Sequence, residues 1–376
     1  MHTASQRQTV SLLRILPLAT LGLLAGCIDQ RTPPPSPEEV RAQIVRLLPV
    51  TTNDRKGWGT DIYAAFSALQ IEPTPSNLCS VLAVTAQEST FNADPEVPGL
   101  GKIARSEIER RAQGMHVPLL VVRGAFQIQR PDGRTWDERL AAVRTESELS
   151  TLFEELIDKV PMGRRLLARA NPVRTGGPMQ VSIAFAERHA RSASYPYPVD
   201  HSIRHEVFTR RGGMYFGIAH LLGYPAAYDK PLYRFADFNA GWYASRNAAF
   251  QNAVSLASGV PLTLDGDVLR ERASRDASDV GPTELAVRAL SAHLGMDAAQ
   301  IHRALRNAGR ADFDRSTLYQ RVFKLAEQMQ RRNLPRAMIP RITLQSPKIT
   351  RKLTTEWFAT RVDNRYHQCM ARAAGS

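Results

Sequence analysis

Cysteine occurs only three times in 376 residues, too rarely for a disulfide-dense scaffold and never at zinc-finger spacing. After the opening segment, no apolar run approaches the length that a membrane-crossing helix requires. No internal repeat is present, which excludes a solenoid or propeller. The formal charge is +13, yet the basic residues are scattered, with no long run and no basic aromatic platform, which argues against a nucleic-acid partner. The positive field suits anionic partners such as cell-wall polymer and lipid headgroups. His201 and His205 stand four apart with Glu206 following, but His205-Glu-Val-Phe-Thr209 lacks the second histidine of a His-Glu-x-x-His motif. No third ligand is obvious, so these are read as surface or core-edge histidines rather than a metal site.

The first 26 residues carry Arg7 and Arg14, no acidic residue, and an apolar stretch from Leu12 to Ala25 relieved by Arg14 and Pro17. A short apolar core closed by small residues is the pattern of a secretory signal. Its ending, Leu24-Ala-Gly-Cys27, resembles the bacterial lipoprotein processing site. That resemblance implies that Cys27 becomes the acylated first residue, with the body of the protein anchored to a membrane outside the cytoplasm. Ile28 after the cysteine, rather than Asp, favours the outer membrane facing the periplasm by the same resemblance. Residues 27–37, with Gln30-Arg-Thr-Pro-Pro-Pro-Ser-Pro37, form a stiff extended tether. In an oxidising compartment the remaining Cys79 and Cys369 are expected to pair, the alternative being two buried free thiols.

From Glu38 the composition turns globular and the periodicity is mainly helical. Helix-compatible spacing covers 38–48, 57–69, 75–88, 104–113, 147–157, 180–191, 204–222, 240–257, 283–294, 297–307, 316–331 and 354–372. Asp297 with Gln300 reads as a capping box, and Thr354 as the cap of the last helix. The run from Pro118 to Gln129, rich in Val and Leu, reads as strand. Residues 38–280 are taken as one domain and 281–376 as a helical extension packed on it, its apolar face carrying Trp357, Phe358, Val362 and Tyr366.

Ala83-Val-Thr-Ala-Gln-Glu-Ser-Thr-Phe91 is the stretch with chemistry in it. Thr74 and Pro75 start a helix as N-cap and first residue. Leu78, Val81, Leu82 and Thr85 share one face, and Glu88 arrives in the last turn. There the negative end of the helix dipole and partial desolvation favour the neutral carboxyl, as a general acid requires. Three later segments complete the pattern: Thr175-Gly-Gly-Pro-Met-Gln-Val-Ser182, a tight turn; Arg210-Arg-Gly-Gly-Met-Tyr-Phe-Gly217; and Phe235-Ala-Asp-Phe-Asn-Ala-Gly241, where Asn239 can offer its amide to a sugar acetamido group.

Glu-Ser-x-Phe, then Gly-x-Met-Gln, then an aromatic-Asn-Ala-Gly box, in that order, resembles the lysozyme-like soluble lytic transglycosylases. The resemblance spans about residues 75–260. It implies a lysozyme-like helical core, Glu88 as catalytic acid/base, and Ser89, Met179, Gln180, Phe238 and Asn239 along a sugar cleft, with Tyr215 on the helix between the boxes. The pattern departs from that family in Pro178 where Leu is usual, in Phe238 for Tyr, and in a long insertion at about 92–174. The whole chain also resembles a family of uncharacterised bacterial lipoproteins with the same blocks.

The implied reaction cleaves peptidoglycan glycan strands between N-acetylmuramic acid and N-acetylglucosamine, with one carboxylate and no cofactor. Hydrolysis would need a second acidic group, for which Asp94, Glu96, Asp200, Glu206 and Asp237 are candidates. Arg234 and Arg246 are read either as internal ion-pair partners or as contacts to muramyl carboxylates. A lipoprotein that keeps the fold only to bind the wall or a protein partner is the alternative.

Overall fold

The computed structural model describes residues 35–159, 171–269, 280–344 and 351–375. The segment read as a signal, Cys27 and most of the residues read as a tether lie outside the described residues. Pro37–Ser376 forms one compact unit. It is mainly helical, and no helix among the described residues is long and apolar enough to cross a membrane.

Local chemistry starts the helices where the sequence places them. Thr74 accepts a hydrogen bond from the Asn77 amide, Pro75 takes the first position, and the helix runs Pro75–Glu88. Asp297 and Gln300 close a reciprocal capping box on Ala298–Leu305, and Thr354 caps Thr355–Ala374. The expected helix at 204–222 is two, Ile203–Phe208 and Arg210–Leu222. Thr209 makes the corner: its hydroxyl donates back to Glu206 O and accepts from the Gly212 amide.

The strand expected at 118–129 is a helix, Leu119–Phe126. Pro118 sets the entry, Val122 and Phe126 face inward one turn apart, and Leu120 and Val121 stay exposed. That sidedness is helical, and it overrides the β-propensity of a short apolar run. Among the described residues, strand pairing is confined to two short antiparallel ladders, Thr175–Gly176 with Val181–Ser182 and Thr343–Leu344 with Leu353–Thr354, and two isolated bridges, Glu96 with Thr145 and Gln129 with Thr135. Two helices without an expected counterpart, Trp136–Ala142 and Pro231–Ala240, are too short to declare a period.

Two hydrophobic clusters fill the unit. The first gathers Trp58, Phe66, Val84, Phe216, Phe235 and Phe358, and also takes in Leu100, Trp136 and Leu149 from the 92–174 segment. The second joins Phe250 from Ala244–Ser258 to Val287, Ile301, Phe313 and Phe323. The last helix returns to the first cluster through Phe358, Val362, Tyr366 and Cys369. It lies along Pro75–Glu88, to which the Cys79–Cys369 disulfide joins it (Cα–Cα 5.5 Å). Ser76 and Tyr366 share a hydrogen bond of 3.0 Å beside that bond.

Candidate functional site

The hairpin that follows the insertion is seated by glycines. Thr175 pairs with Ser182 and Gly176 with Val181, leaving Gly177-Pro-Met-Gln180 as the turn. On Arg210–Leu222, Gly213 and Gly217 lie one turn apart, and a Cβ at either would collide with Pro178 or Met179 respectively. Met179 is therefore fully buried against the helix, where it shapes the cleft wall from behind. Gln180 takes a left-handed backbone conformation (φ 48°), and its side-chain amide is held by Gly177 O and the Thr175 hydroxyl, both at 3.3 Å.

The Asn239 segment is built around a buried carboxylate. Pro231–Ala240 ends at Gly241, whose φ of 106° only glycine adopts readily. Asp237, fully buried, accepts hydrogen bonds from the Tyr224 and Tyr228 hydroxyls and from the Tyr243 and Ser245 amides. Burial pushes its carboxyl above the usual range. This network fixes the chain reversal that presents Phe238, Asn239 and Trp242. Asn239 is exposed, and its side-chain carbonyl accepts from the Thr355 hydroxyl at 3.0 Å.

These elements enclose a cleft of about 670 Å³, a size typical of ligand sites. Glu88, half-buried at the end of its helix, lines it together with Gln180, Phe238 and Asn239. Four of the residues singled out from sequence thus meet in one place. Ser89 caps the helix, its hydroxyl donating to Thr85 O at 3.2 Å, and is not among the lining residues. Tyr215 is buried, its hydroxyl donating to Ser194 O at 3.1 Å. Among the described residues of the 92–174 segment, none lines the cleft.

Sequence reasoning missed one entire wall. Ser182, Phe185, Arg188, His189 and Ser192 form a stripe down the helix Ile183–Ser192 and its cap. Their spacing of three and four was the available signal. Trp242 is only partly buried and also lines the cleft. Its indole N–H donates to His220 O at 2.7 Å.

Glu88 is the sole acidic side chain lining the cleft among the described residues. The other carboxylates considered from sequence lie elsewhere. Asp237 is walled in by tyrosines; Glu206 is buried, accepting from Tyr195 at 2.6 Å and from Arg211; Asp94, Glu96 and Asp200 are not among the lining residues. Arg234 and Arg246 donate to backbone carbonyls within the fold, Arg234 to Tyr224 O and Arg246 to Ala308 O and Arg310 O. His201 and His205 have ring centroids 5.3 Å apart, and His205 Nδ1 is bonded to the Ser202 hydroxyl. No group of three or more metal-ligating side chains occurs among the described residues.

His220 forms part of the cleft floor, packed between Phe185 and Phe238 with ring centroids 4.6 and 5.1 Å away. Its Nε2 donates to Phe238 O at 3.1 Å. Burial pulls its pKa down from 6.5 to about 4. Because the folded value lies below the unfolded one, the unfolded chain binds more protons between those limits. Stability is therefore lost as pH falls from about 6.5 towards 4. His220→Gln should flatten that part of the acid limb when unfolding midpoints are measured against pH. An unchanged slope would place the titrating group elsewhere.

Residues 51–372 match a family described as "Protein of unknown function (DUF1615)". Over 366 residues the chain is 52% identical to "Uncharacterized protein YaiW" of Escherichia coli (strain K12), covering 95% of this chain and 99% of that protein. No solved structure matches.

Proposed function

Because the chain belongs to the DUF1615 family, a grouping that names no reaction, we propose its function from the cleft itself. The protein is a peptidoglycan-cleaving, lytic-transglycosylase-like lipoprotein with a lysozyme-like core, in which Glu88 is the single acid/base. The observation that carries this reading is the cleft with one carboxylate. Glu88 stands at a helix end opposite Gln180 and Asn239, with no second lining acid among the described residues.

One carboxylate suffices for an intramolecular displacement. Glu88 donates its proton to the glycosidic oxygen as the bond from the muramyl C1 breaks, and the sugar's own acetamido group stabilises the cation. The Glu88 carboxylate then takes the proton of the C6 hydroxyl while that oxygen bonds to C1. A 1,6-anhydro ring forms and the carboxyl is restored. Retaining and inverting hydrolysis, by contrast, ordinarily use two carboxyl groups. Asn239 and Gln180 supply amides to the sugar, and Phe238 and Trp242 supply apolar faces. Arg188, on the cleft wall, suits the carboxylates carried by muramyl groups. The opening segment and Cys27 support attachment to the outer membrane on its periplasmic side, next to this polymer.

The test is incubation of the purified protein with peptidoglycan sacculi and mass analysis of what is released. Anhydro-muropeptides are the expected product. Reducing-end products would make the protein a hydrolase, and binding without release would make it a wall-binding lipoprotein.

A further inference from the structure

A second cavity, of about 530 Å³, lies where Ala244–Ser258 meets the segments around Asp314 and Tyr319. Tyr228, Tyr233, Tyr243 and Tyr319 all line it. Tyr243 and Tyr319 are 3% and 2% exposed, and buried tyrosines ordinarily bond their hydroxyls to protein. These two do not: neither hydroxyl has a hydrogen-bond partner among the described residues, and neither is sealed from solvent. Their rings belong to the core while their polar ends open to the cavity. Burial pushes the Tyr319 pKa up to about 12, so at neutral pH it both donates and accepts.

The surrounding charges narrow the ligand class. Arg246 is buried beneath Tyr243, its guanidinium 4.2 Å from the ring centroid and donating to Ala308 O and Arg310 O. That fixed positive charge disfavours a cation. Arg315 and Arg336, the latter paired with Glu327, share the lining with Asp229 and Asp314, so charge of both signs is present and no polyanion is selected. What remains suited is a neutral, polyhydroxylated molecule with an apolar face. Tyr228 and Tyr233, with centroids 5.7 Å apart, offer ring surface, while phenols and carboxylates bond hydroxyl pairs.

The cavity shares a wall with the cleft. Phe238 to Trp242 face the cleft, and the next residue, Tyr243, faces the second cavity in a left-handed conformation (φ 64°). Asp237 Oδ2 accepts from both the Tyr228 hydroxyl (2.6 Å) and the Tyr243 amide (3.1 Å). We propose that this cavity is a second saccharide site, taking a neutral pyranose unit back to back with the cleft across residues 238–243. The site does not depend on turnover in the cleft.

The experiment is calorimetric titration of the full chain in detergent, as its Glu88→Gln form, with monomeric and hexameric N-acetylglucosamine. Two binding events per chain are expected. Tyr243→Phe with Tyr319→Phe should weaken one about tenfold through two lost hydrogen bonds, while Asn239→Ala weakens the other. Since those hydroxyls bond nothing among the described residues, the double Phe protein should melt with the parent. Asp314→Asn gives an independent check on the same event. Binding of the monomer at the tyrosine site would identify a single-sugar pocket, and binding of the hexamer alone would identify a strand site. A single event abolished by Asn239→Ala, or two events indifferent to both the Phe pair and Asp314→Asn, would overturn the proposal. Two events in a chain that releases no muropeptide would uphold it while removing the enzymatic reading.

Discussion

Glu88→Gln should reduce muropeptide release from sacculi by roughly 10²- to 10⁴-fold, the range for loss of a positioned proton donor. The amide is nearly isosteric but can neither protonate the glycosidic oxygen nor accept the C6 hydroxyl proton. Both halves of the proposed reaction therefore fail together. The fold should tolerate the change, because Glu88 is the final residue of its helix and its side chain reaches the cleft wall. The measurement is product release by mass spectrometry beside the thermal midpoint of each protein. A folded Gln variant that still releases anhydro-muropeptides at the parental rate would move the chemistry to another residue.

Removing the Cys79–Cys369 bond should be the most destabilising small change to the chain. The two cysteines are 290 residues apart, and closing so long a loop in the unfolded ensemble corresponds to about 5–6 kcal/mol in the chain-entropy model. Native disulfides more often contribute about 2–5 kcal/mol. Both sulfurs are buried, so Cys79→Ala with Cys369→Ala also leaves unfilled space between the helices. Thermal melts with and without reductant should show the parent losing midpoint and the double Ala protein indifferent. A parent insensitive to a reductant strong enough to reach buried bonds would show that the thiols are not joined in solution.

How much was legible follows from where each signal resides. The helix Pro75–Glu88 was readable because its cap, its proline and its apolar face are all local. Asn239 was readable as a polar residue at a turn, but not as the last turn of a helix held by Thr355 from far along the chain. The wall made by Phe185, Arg188, His189 and Ser192 carried a helical stripe, yet no motif marked it as facing a ligand. Pro118 to Gln129 was misread because β-branched residues in a short run say little about what they pack against. Five candidate second acids could be removed only by seeing their surroundings. Asp237 is the clearest case: its four hydrogen-bond donors bury it behind the cleft rather than within it.

The last helix touches both sides of the cleft, through the disulfide to the Glu88 helix and through Thr355 to Asn239. A chain emerges from the ribosome N-terminus first, so Glu88 and Asn239 both precede the segment that clamps them. The cleft between them therefore takes its final geometry only after the C-terminal helix has been made and has packed. The last covalent tie of the cleft is thus also the last to be made, joining Cys79 to a cysteine 290 residues further along the chain.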